Sequence, residues 1–162
     1  MEVSKKIYDI CQFLEDKKAT DITVCNATML KKSVDFYILA TATSVAHAKA
    51  LADYIIEKAI KLNLAQAYNK EGLVTSDWVV VDLEDCFIHI YTKETRERYN
   101  LEKLLNEGNN LKRFDKIKKD KQKEEKQLHK KNIKDQQKEV KTLKIATLKN
   151  KETKKINKKY KK

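Results

Sequence analysis

The run DWVVVDLEDCFIHIY, Asp77 to Tyr91, decides the fold. It reads as two strands around a tight turn at Glu84-Asp85. A two-residue turn pairs Leu83 with Cys86, Asp82 with Phe87, Val80 with His89 and Trp78 with Tyr91. Alternation then places Val79, Val81, Leu83, Cys86, Ile88 and Ile90 on one face, wholly apolar and therefore a core face. The opposite face carries Trp78, Val80, Asp82, Phe87, His89 and Tyr91, half aromatic and half polar. Glu-Asp is a poor pair for such a turn, which favours Gly, and a one-residue slip would exchange the two faces.

Working outward, Val3, Ile7, Ile10, Cys11 and Leu14 recur at helical spacing, predicting an amphipathic helix over 3–17. DITVCN (21–26) and DFYILAT (35–41) read as strands, the second apolar throughout and so central in its sheet. Ser44 caps a helix reaching about Leu62, with Val45, Ala48, Leu51, Ala52, Ile55, Ile56 and Ala59 as its apolar face. Residues 65–69 suit an edge strand. A last helix starts at Thr92 or Lys93 and runs to Gly108 as its stop. The order α-β-β-α-β-β-β-α predicts an α/β domain, a mixed sheet with helices packed on it, over residues 1–108.

Charge divides the chain at the same place. Residues 1–108 carry 14 basic and 17 acidic residues; residues 109–162 carry 22 and 7. The first part is mildly acidic, and only the second suits a polyanion by charge. It is a Lys-rich, low-complexity tail whose sparse apolar residues, among them Leu111, Phe114 and Ile117, leave it solvated, disordered or partly helical. Three cysteines without a CxxC pair argue against zinc and against a disulfide framework. No basic-then-apolar leader and no apolar run of about 18 residues are present, so a reducing, cytoplasmic location is expected.

Candidate chemistry is thin. The register sets Asp82 diagonal to His89, a pairing that can orient an imidazole for catalysis or a metal. No nucleophile or third ligand stands at a recognisable spacing, and two glycines cannot build a phosphate loop. Structural polar roles are therefore expected for Asp82 and His89, with no catalytic residue, metal or cofactor. Ser44 with His47 suits a helix cap better than an anion site, and Asp35 a strand boundary. Trp78 and Tyr99 divide evenly between core and interface anchor.

Several segments together resemble the ribosomal silencing factor family, also called the Iojap family. They are Lys18-Ala19-Thr20-Asp21-Ile22, Ser33–Ile38, Thr41, Ser44 and His47, Glu71-Gly72, Asp77–Asp82, Asp85–His89, and Arg96, Arg98, Tyr99, Leu101, Glu102 and Leu104. The run W-x-x-x-D-x-x-D-x-x-x-H followed by R-x-x-Y-x-L-E-x-L is the specific part. The resemblance implies a nucleotidyltransferase-like topology without transferase activity, and a homodimer. It implies binding to ribosomal protein L14 (uL14) on the large subunit, sterically blocking the small subunit and repressing translation. By position it implies contacts from Trp78, Tyr99 and Leu101, with Glu71 nearby. The chain departs from the family's usual Gly at Ala42 and at Glu84, and has Leu104-Leu105 where the family often ends Leu-Trp. The tail lies outside the resemblance; Lys112, Arg113, Lys116, Lys118 and Lys119 are its candidate contacts to ribosomal RNA. Two alternatives stand beside this reading: a nucleotidyltransferase-type enzyme, and a general RNA-binding protein acting through the tail.

Overall fold

A computed structural model describes residues 3–28, 34–72, 77–106, 110–130 and 132–133. The chain divides into two units, Met1–Lys118 and Lys119–Lys162. The first is built on a six-stranded mixed sheet. Its elements are α1 (Lys5–Asp16), β1 (Thr20–Asn26), β2 (Phe36–Ala42), α2 (Val45–Lys61) and β3 (Asn69–Glu71). They continue with β4 (Trp78–Asp82), β5 (Cys86–Thr92), α3 (Lys93–Tyr99), α4 (Leu101–Leu105) and β6 (Leu111–Arg113). The strand order is β3-β4-β5-β2-β1-β6. Among the described strands only β2 and β5, at the centre, pair in parallel, and α2 and the β3–β4 strands form the crossover between them.

The hairpin has the expected register: Trp78 opposes Tyr91, Val80 opposes His89 and Asp82 opposes Phe87. Its predicted core face is closed, with Val79, Val81, Leu83, Cys86, Ile88 and Ile90 all essentially buried. Glu84 resolves the turn by taking the left-handed conformation itself (φ 68°). The Asp82 carboxylate accepts the Glu84 N–H at 2.9 Å, and Asp85 N–H bonds Leu83 O at 2.9 Å. Local hydrogen bonds thus offset the missing glycine.

Helices α1 and α2 cover this inner face. Ser4 caps α1, which buries Ile7, Ile10, Cys11 and Leu14 at positions i, i+3, i+4 and i+7. Ser44 caps α2, which buries Ala48, Leu51, Ala52, Ile55 and Ala59, whereas Val45 is exposed. Burial pushes the Cys11 and Cys86 thiols well above their ordinary range, so both act as small apolar side chains.

Three expectations need correction. The edge strand is Asn69–Glu71, not 65–69, and it pairs with β4. The helix expected from 93 to 108 is broken at Asn100 (φ 43°), whose backbone ends α3 while its side chain caps α4. Asn tolerates this conformation better than other residues with a Cβ. Packing also does not stop at Gly108. Strand β6 pairs with β1 along Leu111–Arg113, Phe114 and Ile117 are buried in the main core, and residues 114–118 are helical. The Phe114 ring meets Tyr8 edge-on at 5.2 Å, and Lys118 pairs with Glu15 at 2.5 Å. The apolar residues of this stretch are few, but they are spaced to meet a strand edge and α1.

In the second unit, residues 119–130 are helical and almost wholly exposed. The remainder of the expected tail, apart from 132–133, lies outside the described residues. No described helix is long and apolar enough to cross a membrane.

Candidate functional site: the outer face of the sheet

The opposite face of the sheet is covered only in part. Cys25, Leu39, Tyr91 and Leu105 form a small buried cluster there, with Tyr37, Trp78, Leu101 and Leu111 half-buried against it. The α3–α4 segment is the cover, and polar bonds tie it down. The Thr95 hydroxyl donates to the Asp77 carboxylate, and Thr92 N–H bonds Asp77 O at 2.9 Å. Arg96 donates to Asp21 O and Thr41 Oγ1 at 2.7 Å, reaches Thr23 Oγ1 at 3.3 Å, and pairs with Glu102 through Nε at 2.7 Å. A planar guanidinium can join β1, β2 and α4 in this way; an ammonium cannot. The signal was available in the sequence, since Arg96 is one of three arginines among 33 lysines.

Beside this clip lies a run of rings. Trp78 sits 5.0 Å from Tyr99, 5.7 Å from His89 and 6.0 Å from Tyr91, centroid to centroid. Tyr37 stacks on His89 at 5.9 Å and meets Phe87 edge-on at 5.9 Å. Tyr99 is 51% exposed and Leu104 68%, while Tyr91 is fully buried. Sequence reasoning did not assign Tyr37 to this face. Its parallel register with Phe87 brings it there, and a central apolar strand gives no hint of its neighbour.

Trp78 and Tyr99 are therefore in contact, and Leu101 packs against the cluster they border. Glu71 is exposed on edge strand β3, opposite Val80 and so on the same face. The next residue, Gly72, explains the Glu71-Gly72 pair. It has φ +85°, and a Cβ there would stand 2.2 Å from Trp78 O. The glycine lets β3 lie against the backbone of the tryptophan.

Asp82 and His89 do not form a pair. Asp82 is used in the turn, and His89 Nδ1 accepts the Trp78 indole N–H at 3.2 Å. Desolvation lowers the His89 pKa from 6.5 to about 4, so the ring is neutral near pH 7. Burial likewise pushes the Tyr91 phenol upward. No three His, Cys, Asp or Glu residues converge on a metal-sized site among the described residues. At the start of α2, Ser44 Oγ accepts the His47 N–H at 3.1 Å. His47 Nδ1 accepts the Thr43 N–H at 3.1 Å, and its Nε2 lies 2.8 Å from Lys17 O. These bonds join the loop to the end of α1 and use the Thr43 and His47 N–H groups within the chain itself.

The basic candidates are dispersed. Arg113 pairs with Asp21 at 3.3 Å and Asp115 at 3.4 Å, and Lys118 with Glu15. Lys112 is half-buried on β6, and Lys116 is exposed. Lys119 is exposed in the second unit.

The family profile described as "Ribosomal silencing factor during starvation" matches residues 1–144. A ribosomal silencing factor of Haemophilus influenzae is 35% identical over 95 residues, covering 59% of this chain and 92% of that protein. The mouse protein named "Mitochondrial assembly of ribosomal large subunit protein 1" is 31% identical over 97 residues, 59% of this chain and 42% of its own length. A crystal structure of a Chromobacterium violaceum protein superposes with a TM-score of 0.60 at 28% identity, covering 65% of this chain and 87% of that one. The fold agrees with the superposed structure, and the chain belongs to the ribosomal silencing factor family.

Proposed function

We propose that this protein binds the large ribosomal subunit at protein L14 (uL14) through its outer sheet face, and blocks the small subunit from joining. It represses translation by occlusion, without catalysis, in the cytoplasm and as a homodimer. The carrying observation is the contiguous, partly exposed Trp78–Tyr99 pair on a tied-down surface, with Leu101 packed on the adjoining cluster and acidic Glu71 on the same face of the neighbouring strand. Rigid aromatics are the residue types that most often anchor interfaces, and a flanking carboxylate suits a basic partner. The name of the mouse relative supports the large subunit as the target.

A second reading has its own support. Residues 119–162 carry 18 basic and 6 acidic residues, which accounts for the whole net charge of +12. Such a segment adds salt-dependent contact with ribosomal RNA. Sedimentation with purified large subunits separates the two. Trp78→Ala should abolish retention, and removal of 119–162 should weaken it mainly at low salt. Retention that survives Trp78→Ala and disappears with the tail would replace occlusion by tail-driven RNA binding. A subunit-joining assay with the full chain then tests the block itself.

A further inference from the structure

The imidazole of His89 raises a question that stability does not answer. Its Nδ1 accepts the indole N–H, so the ring proton sits on Nε2. That nitrogen is buried, and no group among the described residues bonds it. An unpaired buried donor is unfavourable. The position lies mid-strand, flanked by Tyr37 and Trp78 rings, where an apolar aromatic would fit the sheet without this penalty. What the imidazole supplies and a phenyl ring cannot is the acceptor for Trp78.

We propose that His89 is a positioning residue: its Nδ1 and the Tyr37 stack behind it hold the Trp78 indole in the orientation that docks the partner. This rests on the reading that Trp78 is the anchor. Trp78 opposes Tyr91 across the hairpin, so His89 is its diagonal neighbour, the distance at which long side chains meet. The bond selects one indole rotamer before binding, which lowers the ordering cost of docking. The bond would be lost on protonation of Nδ1.

The chain has a single tryptophan, so its 15N-labelled full-length form gives one indole N–H resonance, which reports the bond without any ribosome. In His89→Phe that resonance should shift, and its exchange with water should quicken roughly fivefold, the equivalent of one hydrogen bond of ordinary net strength. Large-subunit binding should weaken by a similar factor, while thermal stability stays equal or rises. His89→Gln, which keeps an acceptor, should recover part of both losses. An unshifted resonance in His89→Phe overturns the proposal, and so does a shifted one with unchanged binding. A clear fall in melting temperature would show that the imidazole is kept for stability instead. If Trp78→Ala leaves binding intact, the anchor reading fails whatever the resonance does.

Discussion

The clearest quantitative consequence of the fold lies at Phe114, in a stretch that composition assigns to the solvated tail. The ring is 2% exposed, meets Tyr8 at 5.2 Å, and has the Lys118 ammonium 5.1 Å from its centroid. Truncating a buried Phe to Ala generally costs about 3–5 kcal/mol, the spread reflecting how far the site collapses. Phe114 lies near the end of its unit, where neighbours can relax, so the low end, about 3 kcal/mol, applies. For a unit of this size each kcal/mol lowers Tm by about 3–5 °C, giving a fall of roughly 10–15 °C. Thermal and urea denaturation of the full chain measure it, with Lys116→Ala as an exposed control expected within about 0.5 kcal/mol. Truncations provide a second measure. Removing 109–162 takes away β6, Phe114 and Ile117 and should reproduce or exceed the loss; removing 119–162 takes away none of them. A Phe114→Ala chain that melts within about 3 °C of the Lys116→Ala control would show that this stretch does not belong to the core.

Three further perturbations follow from the outer face. Gly72→Ala forces a Cβ against Trp78 O at a positive φ and should cost at least about 2 kcal/mol, with altered tryptophan emission as the local readout. Arg96→Lys loses the fork that joins Asp21, Thr23, Thr41 and Glu102; a loss of about 2 kcal/mol in urea denaturation is expected, and an unchanged midpoint would refute the clip. The third is pH. Because the His89 pKa is lowered to about 4 in the fold against 6.5 unfolded, the unfolded chain takes up the proton first as pH falls. Stability from this group is complete above pH 6.5, declines as pH falls, and is gone by about pH 4, a change of about 2–3 kcal/mol. Urea midpoints across that window should fall more steeply for the native chain than for His89→Phe; parallel curves would show that His89 does not titrate in this way.

The hairpin was legible because its apolar alternation leaves one register that buries every large side chain. The two long helices were legible from their 3.6-residue period, and the second also from its Ser44 cap. The errors share a cause: each lies where a single contact outweighs the average of a window. At 69–71 the open edge of β4 makes the strand, since Asn-Lys-Glu has little β preference of its own. At Asn100 one left-handed residue divides a helical pattern. At 111–117 three apolar residues dock on β1 and α1, and the surrounding lysines mask them in any count of composition. The site was legible in part. Trp78 and Tyr99 could be nominated, but Tyr37 reaches the neighbouring His89 ring only through a parallel crossover that local sequence does not encode. Asp82 and His89 shared a face as expected and yet took different partners, because the turn needed a carboxylate where glycine was missing.

The two faces of the sheet pose different physical problems. The inner one is closed by α1 and α2 over a continuous set of buried aliphatics, which is enough for a core of this size. The outer one is covered by a short broken helix, and leaves Tyr99 and Leu104 more than half exposed beside half-buried Trp78 and Tyr37. Folding alone gives no reason to keep these side chains on the rim, where exposed apolar surface invites association. The bonds around them act in the other direction from concealment. Arg96, Asp77 and Asn100 fix α3 and α4, Gly72 sets the backbone of Trp78, and His89 sets its indole. Such restraint adds no contact of its own to the interface. It lowers the entropy lost when the rings meet a partner, which is worth most where the partner surface is itself rigid, as on an assembled ribosomal subunit. On the proposed reading, loosening any one of these restraints should therefore weaken subunit binding before it unfolds the protein.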